Sequence, residues 1–232
     1  GESVDDGLHR TDVVRAPRGH YAVGDGSVLP CPQGRYGAEE GLTSEECSGV
    51  CEAGYLCPSA SVSPTQQVCG GVDRYCTEGS WEAVMVEDGW KSVGGKDVET
   101  RTGVEECSVG SWCVGGVETL CPAGRFGNET GLSDPLCSGI CERGYFCLPG
   151  ATTPTQHPCG GAGYFCPQGS GTPRPVSPGF YTAAGAIGDA ATRSAQLECP
   201  SGFFCPGDGW RYECFPGRYG SSPLLTDPQC TG

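Results

Sequence analysis

Six cysteines recur in one unbroken register. Cys31 to Cys76 reads CPQGRYGAEEGLTSEECSGVCEAGYLCPSASVSPTQQVCGGVDRYC, and Cys121 to Cys166 reads CPAGRFGNETGLSDPLCSGICERGYFCLPGATTPTQHPCGGAGYFC. Both stretches have 46 residues, align without a gap and agree at 23 positions, in the pattern C-x15-C-x3-C-x5-C-x11-C-x6-C. A C-x5-C pair follows each copy, Cys107 with Cys113 and Cys199 with Cys205. A third copy opens at Cys214 with CFPGRYG and reaches Cys230. Starts at 31, 121 and 214 set a period of 90 to 93 residues, the mark of a chain built from stacked units.

This register divides the chain into an atypical lead-in (1–30), a first repeat (31–120), a second repeat (121–213) and the start of a third, cut short (214–232). In the lead-in, Gly19-His20-Tyr21 resembles Gly179-Phe180-Tyr181 but lacks the C-x5-C pair. At Thr231-Gly232 the earlier copies continue to another cysteine, so the expectation is a longer array, or an edge completed by something else. A first residue of Gly rather than Met is read as a processed or truncated start.

Composition explains why the cysteines must do the holding. Leu, Ile, Val and Phe together make 38 of 232 residues, Gly and Pro make 59, and the formal net charge is −14. Such a chain cannot bury one large apolar core. Eighteen cysteines supply the alternative, small modules stapled covalently in an oxidising compartment, which predicts an extracellular or cell-surface protein. The 28 acids against 14 bases exclude a nucleic-acid binder, and no apolar run approaches the ~18 residues of a membrane span. The fold expected is small, disulfide-rich, mostly β and irregular: an elongated tandem array of cysteine-rich modules with short hairpins and little helix.

The repeat boundaries constrain the pairing. Cys31 and Cys47 stand beside a lead-in without the C-x5-C pair, and Cys214 and Cys230 occur without the four cysteines that follow elsewhere. The simplest partition joins Cys31–Cys47, Cys107–Cys113, Cys121–Cys137, Cys199–Cys205 and Cys214–Cys230. Two groups of four remain. The favoured pairing within them is first-to-third and second-to-fourth: Cys51–Cys69 with Cys57–Cys76, and Cys141–Cys159 with Cys147–Cys166. Adjacent pairing competes, because a C-x5-C loop containing Gly and an aromatic occurs at both Cys51 and Cys107. Zinc binding is disfavoured, since no C-x2-C occurs and there are three His, so no cofactor is expected.

Each period also carries a cysteine-free stretch of about 30 residues. Val84-Met85-Val86, Glu87-Asp88-Gly89 and Trp90–Val93 read as strand, tight turn and strand of a small meander. Asp97-x-x-Thr100-Arg101-Thr102 recurs as Asp189-x-x-Thr192-Arg193-Ser194.

Through CPQGRYG, C-SGV-C-EAGYLC and their second copies, residues 17–232 resemble cysteine-rich ephrin-receptor-like and tumour-necrosis-factor-receptor-like extracellular repeats. They look most like the long arrays of such repeats in surface proteins of algae and other protists, including the flagellar hairs called mastigonemes. The resemblance implies an extracellular disulfide fold whose first loop, here Cys31 to Cys47, closes on itself. The long cysteine-free insert departs from compact receptor modules, so ligand binding is not carried over.

Asn128, the one asparagine, lies in the acceptor sequence Asn128-Glu129-Thr130 and is the candidate N-glycosylation site of a glycoprotein. Ser61–Thr65, Ala151–Thr155 and Gly171–Pro175 are Ser/Thr/Pro-rich loops that suit O-linked sugars or plain extended chain. Arg35-Tyr36, Arg125-Phe126 and Arg218-Tyr219 recur before glycine, as inter-unit contacts or as local packing with Arg at the surface. Glu39-Glu40 and Glu45-Glu46 follow no calcium-loop pattern and read as solvated acids. No catalytic constellation occurs, and an enzyme is not expected. The function expected is a repeat-built structural subunit of a surface filament, flagellar hair or wall-like layer, self-associating and carrying glycans. The alternative is a receptor or adhesion ectodomain for a protein or glycan ligand.

Overall fold

A computed structural model describes residues 13–183 and 191–232. The first twelve residues of the lead-in and Asp189 of the recurring Asp-x-x-Thr motif lie outside the described residues. These contain no helix; 22 short strands form eleven two-stranded antiparallel ladders.

One local pattern generates nearly all of them. At Pro32–Arg35 the Arg35 N–H donates to the Pro32 carbonyl at 3.1 Å, and Gly34 takes φ +83°, the geometry of a type II turn. Arg35–Tyr36 then runs out and Gly49–Val50 returns, pairing Arg35 with Val50 and Tyr36 with Gly49. Cys51 closes the hairpin by donating its N–H to Gly34 O at 2.9 Å. Hairpins start at Arg35, Tyr55, Arg74, Trp90 and Ser111 in the first period, and at Arg125, Tyr145, Tyr164, Phe180 and Phe203 in the second, and a glycine of positive φ precedes each except Arg74 and Tyr164. One 90-residue period is therefore five hairpin rungs.

Consecutive rungs are joined through the turn glycine. Gly34 N–H donates to Cys57 O and Gly54 N–H to Cys76 O, both at 2.8 Å, as Gly124 and Gly144 do to Cys147 and Cys166. A side chain at Gly34 would collide with the Gly79 carbonyl, and one at Gly124 with the Gly169 carbonyl. Glycine is thus needed there twice, for a positive φ and for the close approach of neighbouring backbone.

Sulfur fills the interior. Eleven of the twelve largest fully buried side chains are cysteines, the twelfth being Thr182. Buried aliphatics are confined to small or isolated residues such as Ala16, Val86, Ala151 and Val176. The cysteine-free rungs replace sulfur with hydroxyls: Ser92 and Thr100 are buried in the first period, and Thr182 and Thr192 in the second.

All eighteen cysteines are in disulfides. Cys31–Cys47, Cys107–Cys113, Cys121–Cys137, Cys199–Cys205 and Cys214–Cys230 are bonded. The favoured pairing within the groups of four is corrected. The bonds are Cys51–Cys57, Cys69–Cys76, Cys141–Cys147 and Cys159–Cys166, not Cys51–Cys69, Cys57–Cys76, Cys141–Cys159 or Cys147–Cys166. The cause is the turn. Cys51 precedes the Glu52–Tyr55 reversal and Cys57 follows its outgoing strand, which leaves their Cα atoms 5.7 Å apart, as at Cys107 and Cys113. Each short loop encloses one turn and staples it on itself.

The cysteine-free stretch also differs from a meander. Val84–Met85 pairs with Arg74–Tyr75, whereas Trp90–Val93 pairs with Gly103–Glu106. The Glu87–Trp90 turn is present, with Trp90 N–H donating to Glu87 O at 3.2 Å, but it leads from one hairpin into the next.

The chain forms two compact units. One runs to Val86 and resumes over Ser92–Glu105; the other comprises Glu87–Lys91 and Glu106–Gly232.

Candidate functional site

Of the residues singled out besides the cysteines, Asn128, Arg218 and Tyr219 are exposed, while Arg35, Tyr36, Arg125 and Phe126 are half-buried and engaged locally. Asn128 is exposed, and only its backbone N–H is used, donating to Ser138 Oγ at 3.0 Å. The hydroxyl of the third acceptor-sequence residue, Thr130, donates to Glu106 Oε2 at 2.8 Å. Ala38 makes the same backbone bond, to Ser48 Oγ, so no contact of the fold calls for an asparagine side chain at this position.

Arg35 reaches across its own loop to Glu46 O at 2.9 Å and forms an ion pair with the Glu46 carboxylate. Arg125 does the same to Leu136 O at 2.7 Å. Each thereby anchors the residue before a cysteine, Cys47 or Cys137, whose φ is about +50°. Tyr36 and Phe126 lie over Gly49 and Gly139 of their own return strands. Tyr219, in the third triplet, is 64% exposed.

Cys107, Cys113 and Glu118 bring sulfur and oxygen atoms within 4.8 Å of one another. The two sulfurs are bonded to each other and offer no thiolate. Glu118 is already held: Lys91 Nζ donates to its Oε2 at 2.8 Å and Ser108 N–H to its Oε1 at 2.9 Å. Lys91 first, then Ser108, hold the Glu118 carboxyl down to about 2.

The second period treats the matching place differently. Lys91 bridges Gly116 in the first period, and Tyr181 bridges Gly209 in the second, so Tyr181 stands for Lys91, Trp210 for Val117 and Arg211 for Glu118. Pro200, which has no N–H, stands for Ser108, and Phe203 for Ser111. Every group that held the acid has changed together with the acid. In its place lies an open pocket of about 410 Å³, walled by Tyr181, Arg193, Trp210 and Arg211. The Arg211 guanidinium lies 5.2 Å from the Tyr181 ring centre and 5.1 Å from that of Phe203. The Arg193 guanidinium lies 5.1 Å from the Trp210 ring. The floor is fixed: buried Thr182 donates its hydroxyl to Ala162 O at 2.6 Å, and a side chain at Gly209 would strike that same carbonyl.

From the sequence, Tyr181 and Arg193 served only as marks of the repeat, and Arg211 was not singled out. The signal was available in the position-by-position difference between the two copies, once the glycine bridge sets their alignment.

Nine disulfides fit a protein of an oxidising compartment, secreted or at the cell surface. Among the described residues no helix is long and apolar enough to cross a membrane. Neither a protein-family model nor a curated protein matches the sequence.

Proposed function

We propose that the chain is an extracellular structural protein, a repeat-built subunit of a surface filament, flagellar hair or wall-like layer. The observation that carries this reading is the rung itself. The two-stranded ladder recurs at every rung, and most rungs add the glycine turn, its backbone bond to the next rung and a disulfide staple, so that like surfaces are presented again and again. Return strands add exposed aliphatics, among them Leu29, Val50, Val68 and Met85, which a second copy of the chain would cover. Repeated head-to-tail contact that does not close builds a filament. A glycan at Asn128 belongs to the same reading.

Negative-stain electron microscopy of native material, with dissociated protein as control, tests it. Regular fibres of constant diameter that re-form from dissociated protein are expected. Particles that stay monomeric well above ~10 µM, where a filament contact of ordinary strength would assemble, refute it. The surface around Tyr181, Trp210 and Arg211, where the second copy departs from the first, favours a second reading, an adhesion ectodomain.

A further inference from the structure

We propose that the pocket walled by Tyr181, Arg193, Trp210 and Arg211 binds an acidic saccharide, a pyranose bearing a carboxylate or sulfate. The inference rests on the divergence between the two copies and not on filament formation.

Charge is the first argument. In a chain of net charge −14, Arg35, Arg74 and Lys91 each face an acid of their own. Arg211 has no hydrogen-bond or carboxylate partner among the described residues, and is held in place only by the Tyr181 and Phe203 rings. Arg193 spends one Nη1 donor on Thr182 O at 2.6 Å, and its buried Nε has no partner among the described residues. Arg101 Nε is orphaned in the same way, so that feature belongs to the hairpin, whereas the second cation belongs to the pocket. Asp208, which precedes Gly209 and Trp210 in the chain, has both oxygens occupied: Oδ1 accepts the Trp210 N–H at 2.9 Å and Oδ2 the Tyr212 hydroxyl at 2.6 Å. Both guanidinium groups line the pocket and keep donors without a partner among the described residues, the chemistry that suits a planar carboxylate or a sulfate.

Shape is the second argument. Trp210 is half exposed and Tyr181 half-buried, and both rings line the pocket beside the guanidinium groups that lie over them. A pyranose matches this pairing, with C–H groups on one side against a ring and an acidic substituent at its edge. The lining holds no aliphatic side chain larger than Ala183, so a peptide has no pocket for an apolar anchor. The net negative charge of the chain repels long polyanions, which selects for short or sparsely charged glycans. Stacking first settles Arg211 over Tyr181 and Phe203, so part of its ordering precedes ligand binding.

The test uses the dissociated chain with disulfides intact, titrated with trigalacturonate, a monosulfated galactotriose, neutral galactotriose and triglutamate. Binding is read by tryptophan fluorescence and calorimetry. Trigalacturonate, the sulfated sugar or both are expected to bind at least about tenfold more tightly than galactotriose and triglutamate, and which acidic sugar binds separates uronate from sulfate as the source. Raising salt from about 50 mM to about 500 mM should weaken binding several-fold. Arg211→Ala should lose at least about tenfold, and Trp210→Val, which installs the residue the first copy carries, about fivefold or more. Trp210→Val keeps the test decisive where Arg211→Ala fails to fold. Equal binding of galactotriose, equal binding of triglutamate, variants that fold and bind like the parent, or no binding at ~5 mM of either acidic sugar each overturn the proposal.

Discussion

Replacing Glu118 by glutamine removes one charge from a pair that ties two elements of the second unit. Lys91 Nζ lies 2.8 Å from Glu118 Oε2, with side chains 23% and 27% exposed. Lys91 first, then Ser108, bring the carboxyl from 4.5 to about 2. That drop corresponds to about 3 kcal/mol at most, and partial exposure brings it nearer about 2 kcal/mol. The folded form has the lower value, so the stabilisation is complete above about pH 4.5 and is lost as pH falls from there through about 2. Glutamine still accepts the Ser108 N–H, so Glu118→Gln should cost about 1–2 kcal/mol at pH 7, seen calorimetrically as a Tm lower by about 4 °C with disulfides intact. Between pH 4.5 and 2 the gap should close, because the parent protonates to a neutral group of similar shape. A gap that is absent at pH 7, or unchanged near pH 2, refutes the reasoning.

Gly34→Ala should destabilise by about 2–4 kcal/mol, since it adds a collision with the Gly79 carbonyl to a φ of +83°. Gly24→Ala, at φ +82° but with nothing within 4 Å, should cost only about 1 kcal/mol; equal effects in urea titration would remove the close-approach argument. Joint replacement of Cys51 and Cys57 by Ala should cost about 2 kcal/mol, against about 3 for Cys31 with Cys47, whose loop is longer. Peptide mapping of unreduced protein should give Cys51–Cys57 and Cys69–Cys76; a Cys51–Cys69 fragment would overturn the turn-closing account. Asn128→Gln should lower the native mass by one glycan and leave Tm within about 1 °C. An unchanged mass would remove the glycan from the proposed function.

The disulfide class, the repeat and the five pairs outside the groups of four were legible because they depend on cysteine spacing alone. Pairing within the fours was not, because spacing does not say where the chain reverses. The deciding residues are Gly54 and its equivalents, whose positive φ folds Cys57 back onto Cys51. The rung starting at Trp90 was hidden for a related reason. Its interior carries Ser92 and Thr100 where other rungs carry sulfur, so a reading by cysteines sees a gap. Thr100 Oγ1 accepts the Lys96 and Asp97 N–H groups at 2.9 and 3.1 Å, a hydrogen-bonded closure in place of a covalent one.

The same logic accounts for the pocket. Rung backbone is fixed mainly by glycine turns and cysteine closures, so an exchange at the outward positions leaves the backbone arrangement in place. At one of these places the first copy neutralises itself, with Lys91 and Ser108 both on Glu118. In the second copy the backbone bridge is kept at Tyr181 and Gly209, while the acid, its cation and its backbone donor are all replaced. Loss of the acid alone would remove the ion pair with Lys91, and loss of the lysine alone would leave the carboxylate with the Ser108 N–H. The joint exchange leaves instead a cation held by aromatic rings, with no hydrogen-bond partner among the described residues. Stability does not require that outcome, since the first copy folds on the neutral pair. The exchange is the change that the proposed acidic-saccharide site requires.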